Sequence, residues 1–361
     1  MANGSKRILA VEPMALPPDL AARTDVLPET GEKWWERTVG RFGFQELARR
    51  SRQIRRAWAL LRRASEYAAV ITLGDFEGLV VAWLEKLRGR GRPAHVMYDC
   101  LWYGGSGLKR WWMRSCLKQV DRCVVWASVE RRRYANAYNV DLEKFVFVPH
   151  HHTLHHFTVE VGDEAFVFTG GNQDRDWKLF LDAVRDLNIP CILATNHLWQ
   201  LEGIPIPPNV RVLSATPQEF RRLMAKATLV VMPMRANLLH AGAQQSILNA
   251  MLMGKPVILT DPEGGADYID SGITGQLVPY GDVASLREAI KLLWDHRDRA
   301  RIMGERARLA AAPLTTIKCN TSILEHITAA AVSGRDPEFV AESRALGIGG
   351  SSNGPGTGDA S

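Results

Sequence analysis

The stretch from His240 to Asp282, HAGAQQSILNAMLMGKPVILTDPEGGADYIDSGITGQLVPYGD, constrains the fold more than any other part of the chain. A small loop (Ala241, Gly242, Ala243) runs into a helix predicted over Gln244 to Met253. Gly254 can end that helix, because glycine adopts the left-handed C-terminal position at little cost. Lys255-Pro256 then leads into a short apolar strand, Val257 to Thr260, followed by a Gly264-Gly265 turn, a short helix and a second glycine-punctuated turn. A helix whose first amides open beside such a loop is an anion site, since unpaired N–H groups and the helix dipole both favour negative charge.

The segment resembles the donor-binding core of GT-B glycosyltransferases, most closely those of glycosyltransferase family 4. The family's usual form is a glutamate, seven residues, a second glutamate, and then AMxxGKPVIxTDxGGxxExxxxGxTGxLVPxGD. The match runs from Ala250 to Asp282, and the two glutamate positions hold Ala241 and Asn249. The resemblance implies an α/β chain of the GT-B class, two Rossmann-like doubly wound domains facing across a cleft. It also implies a hexosyltransferase-type enzyme that takes a nucleotide diphosphate sugar as donor substrate, retains configuration at the transferred carbon, and uses no further cofactor.

The rest of the chain alternates short apolar strands with helical patterns, as a doubly wound parallel sheet requires. Strands are expected at Arg7–Val11, Ala69–Leu73, His95–Asp99, Arg122–Ala127 and Lys144–Val148. Helices are expected at about 44–66, 76–89, 107–119 and 128–138. The run VPHHHTLHHF interrupts this alternation, which resumes with strands at Ala165–Thr169, Cys191–Thr195, Val210–Leu213 and Leu229–Met232. Helices Asp176–Leu187 and Pro217–Lys226 lie between them. Residues 1–157 are thus expected to form an N-terminal acceptor domain and residues 158–315 a C-terminal donor domain. Residues 316–332 would form a helix crossing back to the first domain, and residues 333–361, rich in Gly and Ser, a disordered tail.

A second constellation, FTGGNQDRDWKLFLDAV, stands about 70 residues upstream of the first. A strand ends at Thr169, Gly170 and Gly171 allow backbone approach, and Asn172, Arg175 and Lys178 cluster near a helix start. By the family resemblance Arg175 stands where a lysine grips the donor pyrophosphate. A guanidinium there makes forked bonds to phosphate and stabilises the departing diphosphate without a metal. At the other loop Gly242, Gln244, Gln245 and Ser246 could hold phosphate or sugar hydroxyls, and Asn249 could bind ribose hydroxyls as a carboxamide. The structural alternative is a polar cap on a core helix. On the acceptor side Asp99 is the candidate base or acceptor contact, with Asp75 and Glu77 also at strand ends, where such folds bind ligands.

Five histidines fall within seven residues: His150, His151, His152, His155 and His156. Imidazole suits zinc, copper or nickel. The segment nevertheless resembles VPNGVDxxxF, the family's connection between domains, with Pro149 and Phe157 in place, so a linker is expected and no metal site. The five scattered cysteines show no CxxC pair, which fits a reducing cytoplasm.

Charge divides unevenly. Residues 1–150 hold 26 Lys and Arg against 16 Asp and Glu, and the remainder 19 against 23. Such asymmetry points to an anionic partner for the N-terminal half. Residues 44–66 read as an amphipathic helix with Leu47, Ile54, Trp58 and Leu61 on one side and seven arginines around the rest. Residues 109–114, KRWWMR, form a second basic-aromatic patch. Both suit an anionic membrane surface, or else a domain helix with a solvated basic face. No nucleic-acid module is recognised, so no nucleic acid is expected as partner. No signal peptide and no apolar run long enough for a membrane span is read. The expected setting is cytoplasmic, peripheral on the inner face of the plasma membrane, with a glycan or lipid-linked acceptor. The alternative is a non-catalytic GT-B protein that binds nucleotide sugar or a protein partner, motivated by Ala241 and Asn249.

Overall fold

A computed structural model of the chain describes residues 7–28, 45–86, 92–154 and 157–332. Its contacts gather into two compact units. One comprises Met1–Val125, Tyr134–Val146 and Asn320–Ser361, the other Trp126–Arg133 and Phe147–Cys319. The contact boundary thus falls at 146/147 instead of after residue 157, and the helix Thr316–Val332 changes unit at Asn320. The expected tail from Ser333 onward, and His155 and His156, lie outside the described residues.

The first unit is built on a six-stranded sheet, β1 (Arg7–Ala10), β2 (Thr24–Val26), β3 (Tyr67–Leu73), β4 (Ala94–Tyr98), β5 (Arg122–Val125) and β6 (Phe145–Phe147), in the order β2-β1-β3-β4-β5-β6. Strand β3, YAAVITL, is buried through six of its seven residues, as a central parallel strand covered on both faces must be. Between the strands run α1 (Pro18–Ala21), α2 (Gln45–Ala64), α3 (Phe76–Glu85), α4 (Gly107–Leu117) and α5 (Ser128–Tyr138). Helix α2 corrects the expected stripe. Ala57, Leu60, Leu61 and Ala64 pack into the core with Val70, Val81 and Leu84. Leu47, Ile54 and Trp58 are instead 60%, 39% and 51% exposed. Small residues let the helix lie close to the sheet, and this turns the three larger side chains outward.

The second unit repeats the plan with β7 (Val167–Gly170), β8 (Cys191–Ala194), β9 (Val210–Leu213), β10 (Leu229–Met232), β11 (Val257–Leu259) and β12 (Gly275–Leu277). The order is β12-β11-β10-β7-β8-β9, with neighbouring strands parallel. Helices α6 (Trp177–Val184), α7 (Pro217–Lys226), α8 (Gln244–Leu252), α9 (Pro262–Gly265), α10 (Val283–Asp295), α11 (Arg297–Ala311) and α12 (Thr316–Val332) follow along the chain. Thr216 and Glu219 form a reciprocal capping box that starts α7, satisfying two amides at once. Gly254 has φ +70 just past α8, the left-handed end position its sequence context predicts. Lys255, next in the chain, is not a ligand group: its ammonium donates to the carbonyls of Gly162 (2.5 Å) and Ala227 (2.8 Å) inside the unit.

Candidate donor site in the second unit

Strand order in the second sheet reverses at β7, which has β8 on one side and β10 on the other. In open parallel sheets the loops leaving the carboxyl ends at such a switch point separate and leave a crevice. The two loops that the sequence singles out are these: Gly170 to Asp176 after β7, and the segment from Met232 to Gln244 after β10.

Helix α8 starts in an unusual way. Ala243 precedes it in a left-handed conformation, φ 71, and the first helical bond runs from Ile247 N–H to the Ala243 carbonyl at 2.8 Å. The amides of Gln244, Gln245 and Ser246 therefore have no acceptor within the helix. A cavity of about 290 Å³ opens beside them, lined among others by Gly171, Asn172, Asn196, Phe220, Arg221, Gln245, Ser246 and Asn249. Its wall thus joins the glycine loop after β7 and the first turns of α8 to helix α7. Phe220 and Arg221 were not foreseen there; the sequence offers only PQEFRRLM, which reads as an ordinary amphipathic helix.

The expected site residues divide by position. Gln245 is exposed and Ser246 half-buried at the helix start. Asn249 is tied to the connecting segment, its Oδ1 accepting from Thr153 N at 2.9 Å and its Nδ2 donating to Thr153 Oγ1 at 3.0 Å. Asn172 lies on the cavity wall and is locally fixed, its Oδ1 accepting from Asn196 N at 2.8 Å. Gln244 is not on the wall as expected: it is buried and donates to the Ala241 carbonyl at 2.6 Å, closing the loop on itself. Gly242 leaves room for Met234, whose Cε would lie 2.5 Å from an added Cβ.

Arg175 and Lys178 are corrections. The Arg175 guanidinium is turned inward, the residue only 5% exposed, donating to the carbonyls of Gly170 (3.1 Å) and Gln173 (2.9 Å) and contacting Met234 Sδ. Burial pulls its pKa down to about 10. It shapes the glycine loop from behind. Gly171, at φ +131, permits this, since a Cβ there would lie 2.8 Å from the guanidinium. Lys178 points to solvent and pairs with Asp182 one turn along the helix.

A residue that sequence reasoning missed is Glu130, on α5. It is 1% exposed, and its Oε2 accepts from Trp126 N (2.9 Å) and Ala127 N (3.0 Å) while Oε1 accepts from Ala241 N at 2.7 Å. Burial raises its pKa to about 7 against the pull of those three amides and of His240. His240 in turn meets Asp174 Oδ2 at 3.1 Å, so the two crevice loops are also joined directly. The local run SVERRRY gives no sign of this, because the amide involved is 111 residues away.

Within the first unit, Asp99 follows β4 at φ 54 but does not line either cavity found there. The carboxylate common to both is Asp75, which caps α3 by accepting from Glu77 N and Gly78 N and accepts from Gln53 Nε2 at 2.7 Å. The first cavity, about 280 Å³, also holds Glu12, Arg49, Arg52, Arg56 and Glu77. Burial lifts Glu77 to about 7 although Arg56 lies 3.0 Å away. The second, about 330 Å³, is aromatic, with Phe76, Trp102, Tyr103 and Trp112 among its walls.

The described histidines of this run, His150, His151 and His152, do not form a metal-holding group. His150 lies against the rings of Trp126 and His151, while His151 Nδ1 meets Thr316 Oγ1 at 3.0 Å. Among the described residues no group of three or more His, Cys, Asp or Glu side chains is placed to hold a metal ion.

The chain is similar to known proteins in sequence and in fold. The family profile described as Glycosyl transferases group 1 matches residues 165–296, the span that holds both loops. The D-rhamnosyltransferase WbpZ of Pseudomonas aeruginosa is 27% identical over 174 residues, 45% of this chain and 44% of that protein; the match thus spans less than half of that relative. Among solved structures, HepE of Anabaena in complex with UDP-glucose superposes with a TM-score of 0.64 at 14% identity, over 90% of this chain and all of that one. A glycosyltransferase from Rickettsia africae gives 0.63 at 13% identity, covering 91% and 99%. Sucrose-phosphate synthase from Thermosynechococcus elongatus gives 0.58 at 14%, covering 93% and 86%. At such identities the likeness carries the fold alone. The chain has the GT-B fold, two Rossmann-like α/β units, and residues 165–296 of the second match the glycosyl transferases group 1 family.

Proposed function

We propose that the protein is a glycosyltransferase that moves a hexose from a nucleotide diphosphate sugar to a glycan or lipid-linked acceptor. The observation that carries this reading is the cavity at the start of α8, lined by Gln245 and Ser246 together with Phe220 and Arg221, within a group 1 domain. The diphosphate would meet the amides of Gln244, Gln245 and Ser246 and the glycine loop at Gly170 and Gly171, with the base near Phe220. Asn172 and Asn249 would reach sugar or ribose hydroxyls. Similarity to HepE, solved with UDP and with UDP-glucose, supports a nucleotide sugar as ligand.

In this reading the reaction retains configuration and needs no metal, because helix amides and Arg221 meet the charge of the departing diphosphate. Arg175 acts by holding the Gly170 and Gln173 carbonyls in place, and Lys178 contributes no contact. The acceptor belongs to the first unit, at the cavities that share Asp75. There Glu77, with its pKa near 7, is better tuned for proton transfer at neutral pH than Asp99. An inverting reaction, which needs such a base, is the second reading, and Glu77 is the observation that favours it. The setting proposed is the inner face of the plasma membrane, without nucleic acid.

A thermal-shift panel of UDP, GDP, ADP and their sugars tests the donor site. A ligand at one hundred times its Kd should stabilise the protein by about 2.7 kcal/mol, and one base should stand out. No shift with any nucleotide would sink the proposal. Binding with no transfer or hydrolysis would leave a non-catalytic nucleotide-sugar binder, and the anomeric form of the product separates retention from inversion.

A further inference from the structure

The sequence has no carboxylate at position 241, yet the structure brings one there from another part of the chain. Glu130 spans the gap between α5 and the loop before α8, and its Oε1 lies 2.7 Å from the Ala241 amide. Ala127, Val129 and Ala241 pack against one another around this contact. Behind it, Gln244 closes on the Ala241 carbonyl and His240 reaches Asp174 in the opposite loop. The loop is thus held at three of its residues: His240 by its ring, Ala241 by both its N–H and its carbonyl, and Ala243 by the first bond of the helix.

We infer that Glu130 is a positioning residue for the donor: its carboxylate, anchored on the Trp126 and Ala127 amides, fixes the Ala241–Ala243 loop so that the first amides of α8 point into the cavity. The inference rests on the proposed donor site and goes beyond it by assigning a role to a side chain outside the 165–296 domain.

A purely structural account of Glu130 is less economical. A buried carboxylate is costly unless its lone pairs are filled, and two local amides already cap the start of α5. The third bond adds nothing to that helix; it reaches 111 residues along the chain to the loop that ends in the left-handed turn at Ala243, φ 71. Ionised, the carboxylate can accept all three N–H bonds. Protonated, one oxygen becomes a donor and faces an amide that is also a donor. The grip on Ala241 should therefore strengthen as the group ionises. The other titratable groups facing it are His240, from the loop itself, with Asp174 behind it, and Tyr268, whose phenol burial keeps neutral through this range.

The test is nucleotide-sugar binding from pH 6 to 8 by calorimetry, on the full chain and on Glu130→Gln, with UDP-glucose as first probe. A nucleotide sugar is suitable because its diphosphate has no proton to lose in that range. Wild type should bind about ten-fold more tightly at pH 8 than at pH 6, and the variant should bind weakly with that step removed. Hydrogen exchange at residues 240–246 should rise in the variant while exchange in the strands stays unchanged, which separates loop release from unfolding. If the variant proves too unstable to purify, the wild-type pH step together with slowed exchange of this loop at pH 8 still decides. Equal affinity and equal pH profiles in the two proteins would overturn the inference and leave the donor site standing. Failure of wild type to bind any nucleotide sugar would overturn both.

Discussion

Arg175 and Lys178 lie three positions apart, yet opposite outcomes are expected from their removal. Arg175→Ala takes donors away from the buried carbonyl of Gly170 and the part-buried one of Gln173, and an unsatisfied buried group together with the lost packing should cost roughly 2–4 kcal/mol of stability. Donor binding should fall with it, because the glycine loop loses its backing. Lys178→Ala removes a 72% exposed ammonium paired only along its own helix and should leave both donor affinity and melting temperature within error. Denaturant titration with calorimetry on the two variants checks this; a Lys178 variant that loses affinity would restore that residue to the site. The sequence marks both as basic residues near a helix start and cannot tell them apart. What separates them is Gly171 at φ +131, which opens the space into which one guanidinium folds. Glu130 was invisible for a different reason, since its partner is an amide, which carries no side-chain signature.

At the scale of elements, most helices and central strands were legible because periodicity and burial agree there. Val210–Leu213, Pro217–Lys226 and Leu229–Met232 coincide with the expected ranges. Strands β2 and β12 were not foreseen. Each is three residues long at a sheet edge, TDV and GQL, too short to show a pattern and paired on one side only. Lys255 shows how a motif residue can serve packing. Its ammonium joins the Gly162 carbonyl, ahead of β7, to the Ala227 carbonyl, ahead of β10, and burial lowers its pKa from 10.5 to about 8. Between those values the folded chain binds fewer protons at this site than the unfolded one, so its contribution to stability grows as pH rises from about 8 towards 10.5. Lys255→Met should abolish that slope. Chemical denaturation of both proteins at pH 8, 9 and 10 measures it, and parallel curves would refute the assignment.

For the whole molecule, the basic surplus of the first 150 residues becomes a surface question once Leu47, Ile54 and Trp58 are seen to face outward on α2. Helix α4 adds Leu108 and Trp111, 78% and 61% exposed, beside Lys109 and Arg110. No helix among the described residues is long and apolar enough to cross a membrane. A peripheral contact is the form these features suit. Flotation with vesicles of phosphatidylglycerol should recover the protein, vesicles of phosphatidylcholine much less. Trp58→Ser with Trp111→Ser should weaken recovery while changing stability by less than about 0.5 kcal/mol, as exposed sites usually do. Equal recovery on both vesicle types would dispose of the anionic preference.

The division of the chain also has a bearing on how the protein comes into being. Residues Asn320–Val332 belong to the first unit, with Ile323, Leu324 and Ile327 fully buried and Asn320 donating to the Ala15 carbonyl. The unit whose strands emerge first from the ribosome is therefore completed last. Its sheet must wait for the whole second unit to be synthesised before the final helix can close it.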